Sequence, residues 1–315
     1  MESFLISLRV VLPLCIWMTV GYTTRNILKL DEDWLQRANG MVFRVFLPLL
    51  LFKNMIESNM KEHLNADTAA YAIYAIASVT VVFVVMMLVV PRFEKDDTRK
   101  GVIVQGIFRT NTALYGLPVA ISLYGEGNIG VAALLVIMVI PFYNVYAVIA
   151  LEAFRGGKPN WTDILKKIAT NPLIIALMLG LAFYFSGITL PSGIQRGIYG
   201  FAECATPFAF LCMGAGFVFS SAVNNRKTLA VVVLLRLVVV PILGILGAYL
   251  LGARGAALAG FMLIFASPTA SSSYSMACVM GGDSRLANEI VVFTSALSVI
   301  TVFLWVYALA SLGLL

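Results

Sequence analysis

The sequence predicts an all-α membrane protein with ten transmembrane helices, arranged as two inverted five-helix repeats with a discontinuous helix in each. Of its 315 residues, 60% are hydrophobic and only 12% are charged, with a mean hydropathy of +0.92. A soluble domain carries roughly a quarter charged residues, because its surface faces water. Apolar stretches of about 20 residues, enough to cross a hydrocarbon core ~30 Å thick at ~1.5 Å per residue, divide nearly the whole chain. Interruptions recur at corresponding places in its two halves.

The first five spans are read as Phe4 to Thr24, Ala38 to Ile56, Thr68 to Val90, Thr98 to Tyr124 and Asn128 to Glu152. The first lacks a basic leader region and a good cleavage site, so it is expected to be a span and not a removable signal. A polar stretch from Arg155 to Lys167 interrupts the series. Five more follow: Pro172 to Ile188, Gly197 to Ser221, Leu229 to Leu251, Gly255 to Met280 and Ala287 to Leu312. The expected division is a first repeat over residues 1–152, a cytoplasmic connecting loop over 153–170 and a second repeat over 171–315.

Because five is odd, the second half enters the membrane in the opposite sense, which makes the repeat inverted. The second span of each half holds a mid-helix proline, Pro48 and Pro207. The fourth spans are broken around Arg109-Thr-Asn-Thr-Ala-Leu-Tyr-Gly-Leu-Pro118 and Ser267-Pro-Thr-Ala-Ser-Ser-Ser-Tyr-Ser275, and each ends in a Gly-acid pair, Gly125-Glu126 and Gly282-Asp283.

The formal charge of +6 comes from 22 Lys and Arg against 16 Asp and Glu. Fourteen of those 22 lie in the loops after the odd-numbered spans, four in the loops after spans two, six and eight, and four (Arg9, Arg44, Arg109 and Arg236) inside spans. The basic loops are expected in the cytoplasm, with both termini outside a multi-pass cell-membrane protein. This distribution argues for a lipid bilayer as the partner, and not for nucleic acid. Cys15, Cys204, Cys212 and Cys278 lie in apolar stretches without a C-x-x-C pair, so neither a disulfide framework nor a metal site is expected. The sequence has a single histidine and lacks G-x-S-x-G, H-E-x-x-H and G-x-x-x-x-G-K, so it points to no enzyme and no cofactor.

The two breaks carry the strongest local signal. Unwound backbone at membrane depth leaves polar groups costing several kcal/mol each unless it is buried in protein or lines a watery cavity. Thr110, Asn111 and Thr112 are expected at the start of a half-helix running through Leu117, whose free N–H groups favour an anion. Pro268 removes a backbone donor in the second break. Thr269, Ser271, Ser272 and Ser273 then place hydroxyls at the next half-helix. The bland reading is that Pro and Gly are common in membrane helices and that Ser and Thr bridge neighbours. Matched breaks favour a functional site.

Arg109 and Arg236 fall near the centres of their spans, where a charge costs ~2.5–3.5 kcal/mol. Each is a candidate carboxylate ligand. The structural alternative is pairing with backbone carbonyls or with Glu203 or Glu289, and for Arg236 that alternative is favoured. Lys53 and Glu57, four residues apart, share a helix face and are read as a proton-coupling pair or, in preference, as a snorkelling pair at the outer end. Asn144 is a substrate ligand or, in preference, a tie between helices. Coupling candidates are therefore Lys53, Glu57, Glu203 and Glu289.

The segments Asn111-Thr-Ala-Leu-Tyr-Gly-Leu-Pro118 and Ala266-Ser-Pro-Thr-Ala270, set within ten spans, resemble the crossover segments of the auxin efflux carrier family over essentially the whole chain. That family includes plant PIN-type carriers and bacterial members associated with malonate and malate. The resemblance implies a sodium–proton antiporter-like or bile-acid-transporter-like fold with crossed discontinuous helices, a scaffold domain from spans 1, 2, 6 and 7 and a transport domain from spans 3–5 and 8–10. It also implies a homodimer through the scaffold. Thr110 stands where PIN-type members have a proline, and the long cytoplasmic loop of plant members is missing. Fold and site are thus better supported than auxin as substrate.

Together these features predict a secondary transporter that moves a small organic anion by alternating access, with its site at the crossover of spans four and nine. The alternatives are a ligand-binding sensor that does not translocate, and a channel.

Overall fold

The computed structural model describes residues 2–58, 60–63, 65–112, 120–121, 124–125, 129–155 and 161–315, without the side chains of residues 2–10, 60 and 61. Among the described residues the chain is all-helical, and no strand is present. Its helices are α1 (Glu2–Leu28), α2 (Glu32–Ile56), α3 (Met60–His63), α4 (Ala66–Phe93), α5 (Asp97–Phe108), α6 (Gly130–Ala153) and α7 (Trp161–Ala169). There follow α8 (Pro172–Ser186), α9 (Ser192–Gly216), α10 (Phe219–Asn224), α11 (Arg226–Leu250), α12 (Gly255–Ala266), α13 (Ser272–Met280) and α14 (Ser284–Ser311).

Among the described residues six of these, α2, α4, α6, α9, α11 and α14, are long and apolar enough to cross a membrane, and α7 with α8, bent by 52°, makes a seventh if counted as one span. Their outer faces are apolar. On α4, Ala72, Ala75, Val79 and Phe83 are buried while Ile73, Val81, Val84 and Leu88 are exposed, so one face meets protein and the other is left for lipid.

Helix ends and bends follow from local chemistry. Asn65 and Thr68 form a reciprocal capping box at the start of α4. Asp96 caps α5, and hydrogen bonds from the Thr98 hydroxyl and backbone N–H hold its carboxyl below the usual carboxylate range. Inside α2 and α11, Val42–Phe46 and Leu235–Val239 widen into π turns. Pro48 and Pro241 follow each one closely. Neither proline can donate to the carbonyl four residues back, and the chain bulges to accommodate the ring. In α11 the Leu237 carbonyl left over by Pro241 is recovered by the Trp305 indole at 3.3 Å.

Two expectations change in detail. Within the connecting stretch 153–170, residues Trp161–Ala169 form a helix because it is amphipathic: Ile164 is buried and Ile168 packs against the core, while Thr162, Asp163 and Lys166 face outward. The seventh span, expected to reach Ser221, stops at Gly216. Arg25 takes the Ala215 carbonyl at 2.7 Å and Asn288 takes that of Met213 at 2.8 Å, so the last turn is capped there, and Phe217 and Val218 run extended into α10. Glu126 and residues 113–119, with Pro118 and the half-helix expected through Leu117, lie outside the described residues.

Packing sorts the helices into two groups. In one, α1 packs on α9, and α2 packs on α8 and α9. In the other, α4, α5 and α6 pack together, α6 and α11 pack on α12, and α13 packs on α14. The groups meet where α1 touches α14 and where α13 lies against α2 and α9. The α1–α9 contact is close because of its glycines: a Cβ on Gly21 would overlap the Leu211 carbonyl, and one on Gly214 the Met18 backbone. Gly214→Val should therefore destabilise by about 1–3 kcal/mol, the usual range for overpacking. Gly193→Ala, where a Cβ meets nothing, should melt like the parent. Melting of both variants in detergent checks this.

Candidate functional site

The described site begins with helix ends that stop inside the protein. The last four carbonyls of a helix have no intrahelical partner, and its C-terminus carries about half a negative charge. Both problems arise twice here, where α5 ends at Phe108 and α12 at Ala266.

At the end of α5, the Gln105 carbonyl accepts from the Arg109 N–H at 3.0 Å. The Gly106 carbonyl accepts from the Thr269 hydroxyl at 2.7 Å. Those of Ile107 and Phe108 accept from Arg236 Nη1 at 2.7 and 3.3 Å. At the end of α12, the Leu263 carbonyl takes the Ser267 hydroxyl at 2.6 Å. The Ile264 carbonyl takes the Tyr143 hydroxyl at 3.3 Å and Arg236 Nη2 at 3.5 Å, and Arg236 Nη2 also donates to Phe265. Arg236, fully buried, thus joins both negative ends with one guanidinium.

Beyond these ends the two segments cross. Thr110 and Thr269 form an isolated antiparallel bridge. The Asn111 N–H donates to the Pro268 carbonyl at 2.8 Å, and the Ala270 N–H to the Arg109 carbonyl at 3.4 Å. Ser267 has the extended ψ of 151° that a following proline favours, which ends α12 there. Thr269 is held a second time, its N–H donating to the Thr294 hydroxyl at 3.2 Å.

A cavity of about 80 Å³ lies against this crossing. Arg109, Thr110, Asn111 and Thr112 line it from one segment, Ser271 and Ser272 from the other, and Asn144 and Tyr143 from α6. The opposite wall belongs to the other helix group: Leu47, Leu51 and Asn54 of α2, Leu173 of α8 and Thr206 of α9. Arg109 is only 3% exposed, and its Nη2 donates to Asn144 Oδ1 at 2.8 Å while Nη1 contacts the Met276 sulfur. Asn144 also donates to the Ile140 carbonyl at 2.9 Å, so it ties α6 to the break and still faces the cavity.

The structure brings Arg109, Thr110, Asn111, Thr112, Ser271, Ser272 and Asn144 to the cavity wall. It does not bring Arg236, Pro268 or Thr269 there, whose polar groups serve the crossing itself. Arg236 meets carbonyls and neither Glu203 nor Glu289. Lys53 does not pair with Glu57 along α2. It reaches across to Glu203 of α9 at 3.0 Å with its ammonium 4.7 Å above the Tyr199 ring, and Glu57 stands exposed at the end of α2. Glu289 is 1% exposed, with Asn225 on one oxygen at 2.7 Å and no hydrogen-bond partner for the other among the described residues.

Sequence reasoning missed Tyr143, Thr206 and the α2 face as cavity lining. The spacing of Leu47, Leu51 and Asn54 at three and four residues was a usable signal. Thr206, a lone hydroxyl beside a helix proline, offered none. No group of three or more His, Cys, Asp and Glu able to hold a metal lies among the described residues.

The sequence profile of a family described as "Membrane transport protein" matches residues 6–160 and 161–306 of this chain. The chain belongs to that family, the auxin efflux carriers. Among its relatives, a Rhizobium meliloti protein named for malonate transport is 26% identical over 314 residues, 96% of this chain and 95% of its own length. An uncharacterized transporter of Methanothermobacter thermautotrophicus is 22% identical over 96% of this chain and 98% of its own, and one of Methanocaldococcus jannaschii is 24% identical over 67% and 68%. Family and relatives both point to a multi-pass membrane transport protein, not an enzyme.

In this family member one side chain joins both helix ends at the crossing. Arg236→Met should leave the carbonyls of Ile107, Phe108 and Phe265 without that donor, at about 1–3 kcal/mol each. Its melting in detergent should collapse, with partial recovery in Arg236→Lys; a melting curve equal to the parent's would refute this role of Arg236.

Proposed function

We propose that the chain is a secondary transporter that carries a small organic anion, a monocarboxylate or a malonate- or malate-like dicarboxylate, across the cell membrane by alternating access. The observation that carries this reading is Arg109. It is buried at a cavity where both helix groups meet, and among the described residues one amide oxygen and one sulfur are the acceptors that hold its guanidinium. A guanidinium has five N–H donors, and a planar carboxylate matches two of them at once.

In this reading the chain crosses the membrane ten times. The six long helices, α1 and α8 supply eight crossings, and the two interrupted segments, α5 onward and α12 with α13, supply the other two. The halves are inverted repeats, residues 1–152 and 171–315, joined by a cytoplasmic stretch over 153–170. The scaffold is α1, α2, α8 and α9, and the remaining spans form the transport domain. Packing that runs mainly within each group supports that division. The basic loops face the cytoplasm and both termini lie outside. Two copies pair through their scaffolds.

The substrate carboxylate sits between Arg109 and Asn111, with Thr110, Thr112, Ser271 and Ser272 within the same wall. Movement of the transport domain against α2 and α9 then changes the side from which the cavity is reached. Glu289, the Lys53–Glu203 pair and Glu57 are the coupling candidates. Uptake under separately imposed proton, sodium and voltage gradients, repeated in Glu289→Gln, assigns the coupling among them.

Purified protein in liposomes should accumulate radiolabelled malonate or another small carboxylate from a panel of mono- and dicarboxylates. Arg109→Gln should weaken binding roughly 10- to 100-fold, the loss expected for a charge-assisted hydrogen bond of about 1.5–3 kcal/mol. Asn111→Ala should weaken it as well. Binding without accumulation would make the protein a sensor, and unitary current steps in a planar bilayer would make it a channel.

A further inference from the structure

Arg44 is the one intramembrane arginine whose described side chain is exposed. It lies twelve residues beyond Glu32 in α2, a 25-residue helix, and is thus about 18 Å along it and near its middle. It takes part in no hydrogen bond or salt bridge among the described residues. A charged group at that depth does not face hydrocarbon. It turns to the protein interior or to a water-filled cavity.

Such a cavity is present. An open groove of about 600 Å³ runs along α2 from Asp33 to Val45, with Arg37, Met41 and Arg44 on its wall and Val279 of α13 opposite. Its outer end lies on the basic side of the protein, where Arg25 and Arg285 both reach Glu32, at 2.9 and 3.9 Å. Asp33 sits 3.8 Å from Arg37, with both side chains largely exposed, and leaves Arg44 uncompensated.

The same two helices wall the central cavity. Leu47, three residues after Arg44, lines that cavity, and Ser272 at the other end of α13 lines it as well. Groove and cavity are therefore both walled by α2 and α13, the pair at which the two helix groups meet. Arg44 and Val45 are the groove residues that lie nearest to Leu47 along the helix.

We propose that this groove is an aqueous vestibule that draws carboxylate anions from the basic side to the central cavity, with Arg44 as their first ligand. The assignment rests on the transport reading for its purpose, but not for its test. A positive cleft with low-dielectric walls raises the local concentration of anions roughly 10- to 1000-fold. Arg37, at the mouth, extends that field outward.

The test uses a single cysteine, Met41→Cys, in the full chain with Cys15, Cys204, Cys212 and Cys278 replaced by serine or alanine. In phosphatidylcholine proteoliposomes it is exposed on both faces to a sulfonate-bearing or a trimethylammonium-bearing methanethiosulfonate reagent. Both should react, the sulfonate faster. Arg44→Gln in the same background should lower the sulfonate-to-ammonium rate ratio about tenfold, within that range, and Arg44→Lys should keep it. Arg37→Gln should lower it less. Absence of reaction with either reagent, or a ratio that Arg44→Gln leaves unchanged, would overturn the proposal. So would protection by added phosphatidylglycerol, which would give the groove to a lipid phosphate. A supported vestibule combined with failed carboxylate uptake would refute the transport reading alone.

Discussion

Two helix ends that stop inside the protein impose the central constraint on this fold, because each brings unpaired carbonyls and negative potential to the same buried place. Arg236 resolves both. Its guanidinium spans the ends of α5 and α12 and reaches carbonyls on each. A lysine ammonium, compact and without the planar fork, would not reach both so readily. With the carbonyl ends held, the extended residues beyond them can pair through Thr110 and Thr269, and the cavity wall takes its shape from that pairing.

The two buried arginines divide the work. Arg236 commits both terminal nitrogens to backbone carbonyls and lies outside the cavity, while Arg109, among the described residues, keeps donors to spare on the cavity wall. Both occupy mid-span positions in sequence, so hydropathy alone does not tell them apart. What separates them is the break. Arg109 follows the last residue of α5 and turns with the unwound chain, whereas Arg236 sits in a π turn of an intact helix and is aimed at the crossing from outside. Tyr143 complements Arg236 by taking the Ile264 carbonyl, and Asn144, its neighbour, orients Arg109.

Much of this was legible in the sequence, for physical reasons. Lipid requires long apolar runs, and proline and polar residues inside such runs mark where backbone bonds must be found elsewhere. The break at Pro268 and the one beginning at Arg109 could be read for that reason, and so could the carbonyl partners of Arg236. Partner choice across helices was less readable. Lys53 and Glu57 satisfy the local spacing rule, yet Lys53 has Glu203 and Tyr199 within reach on α9, a proximity that only tertiary packing creates. The helix Trp161–Ala169 was hidden by its polar composition, because only Ile164 on one face is buried.

The covalent attachment of Arg236 has a consequence for how the crossing responds to its surroundings. A dissolved ion that neutralised the same carbonyls would come and go with its concentration on either face of the membrane. A guanidinium on α11 is a counterion that dilution cannot remove. The crossing is therefore insulated from the salt composition of both compartments, and its architecture is already assembled before any solute arrives.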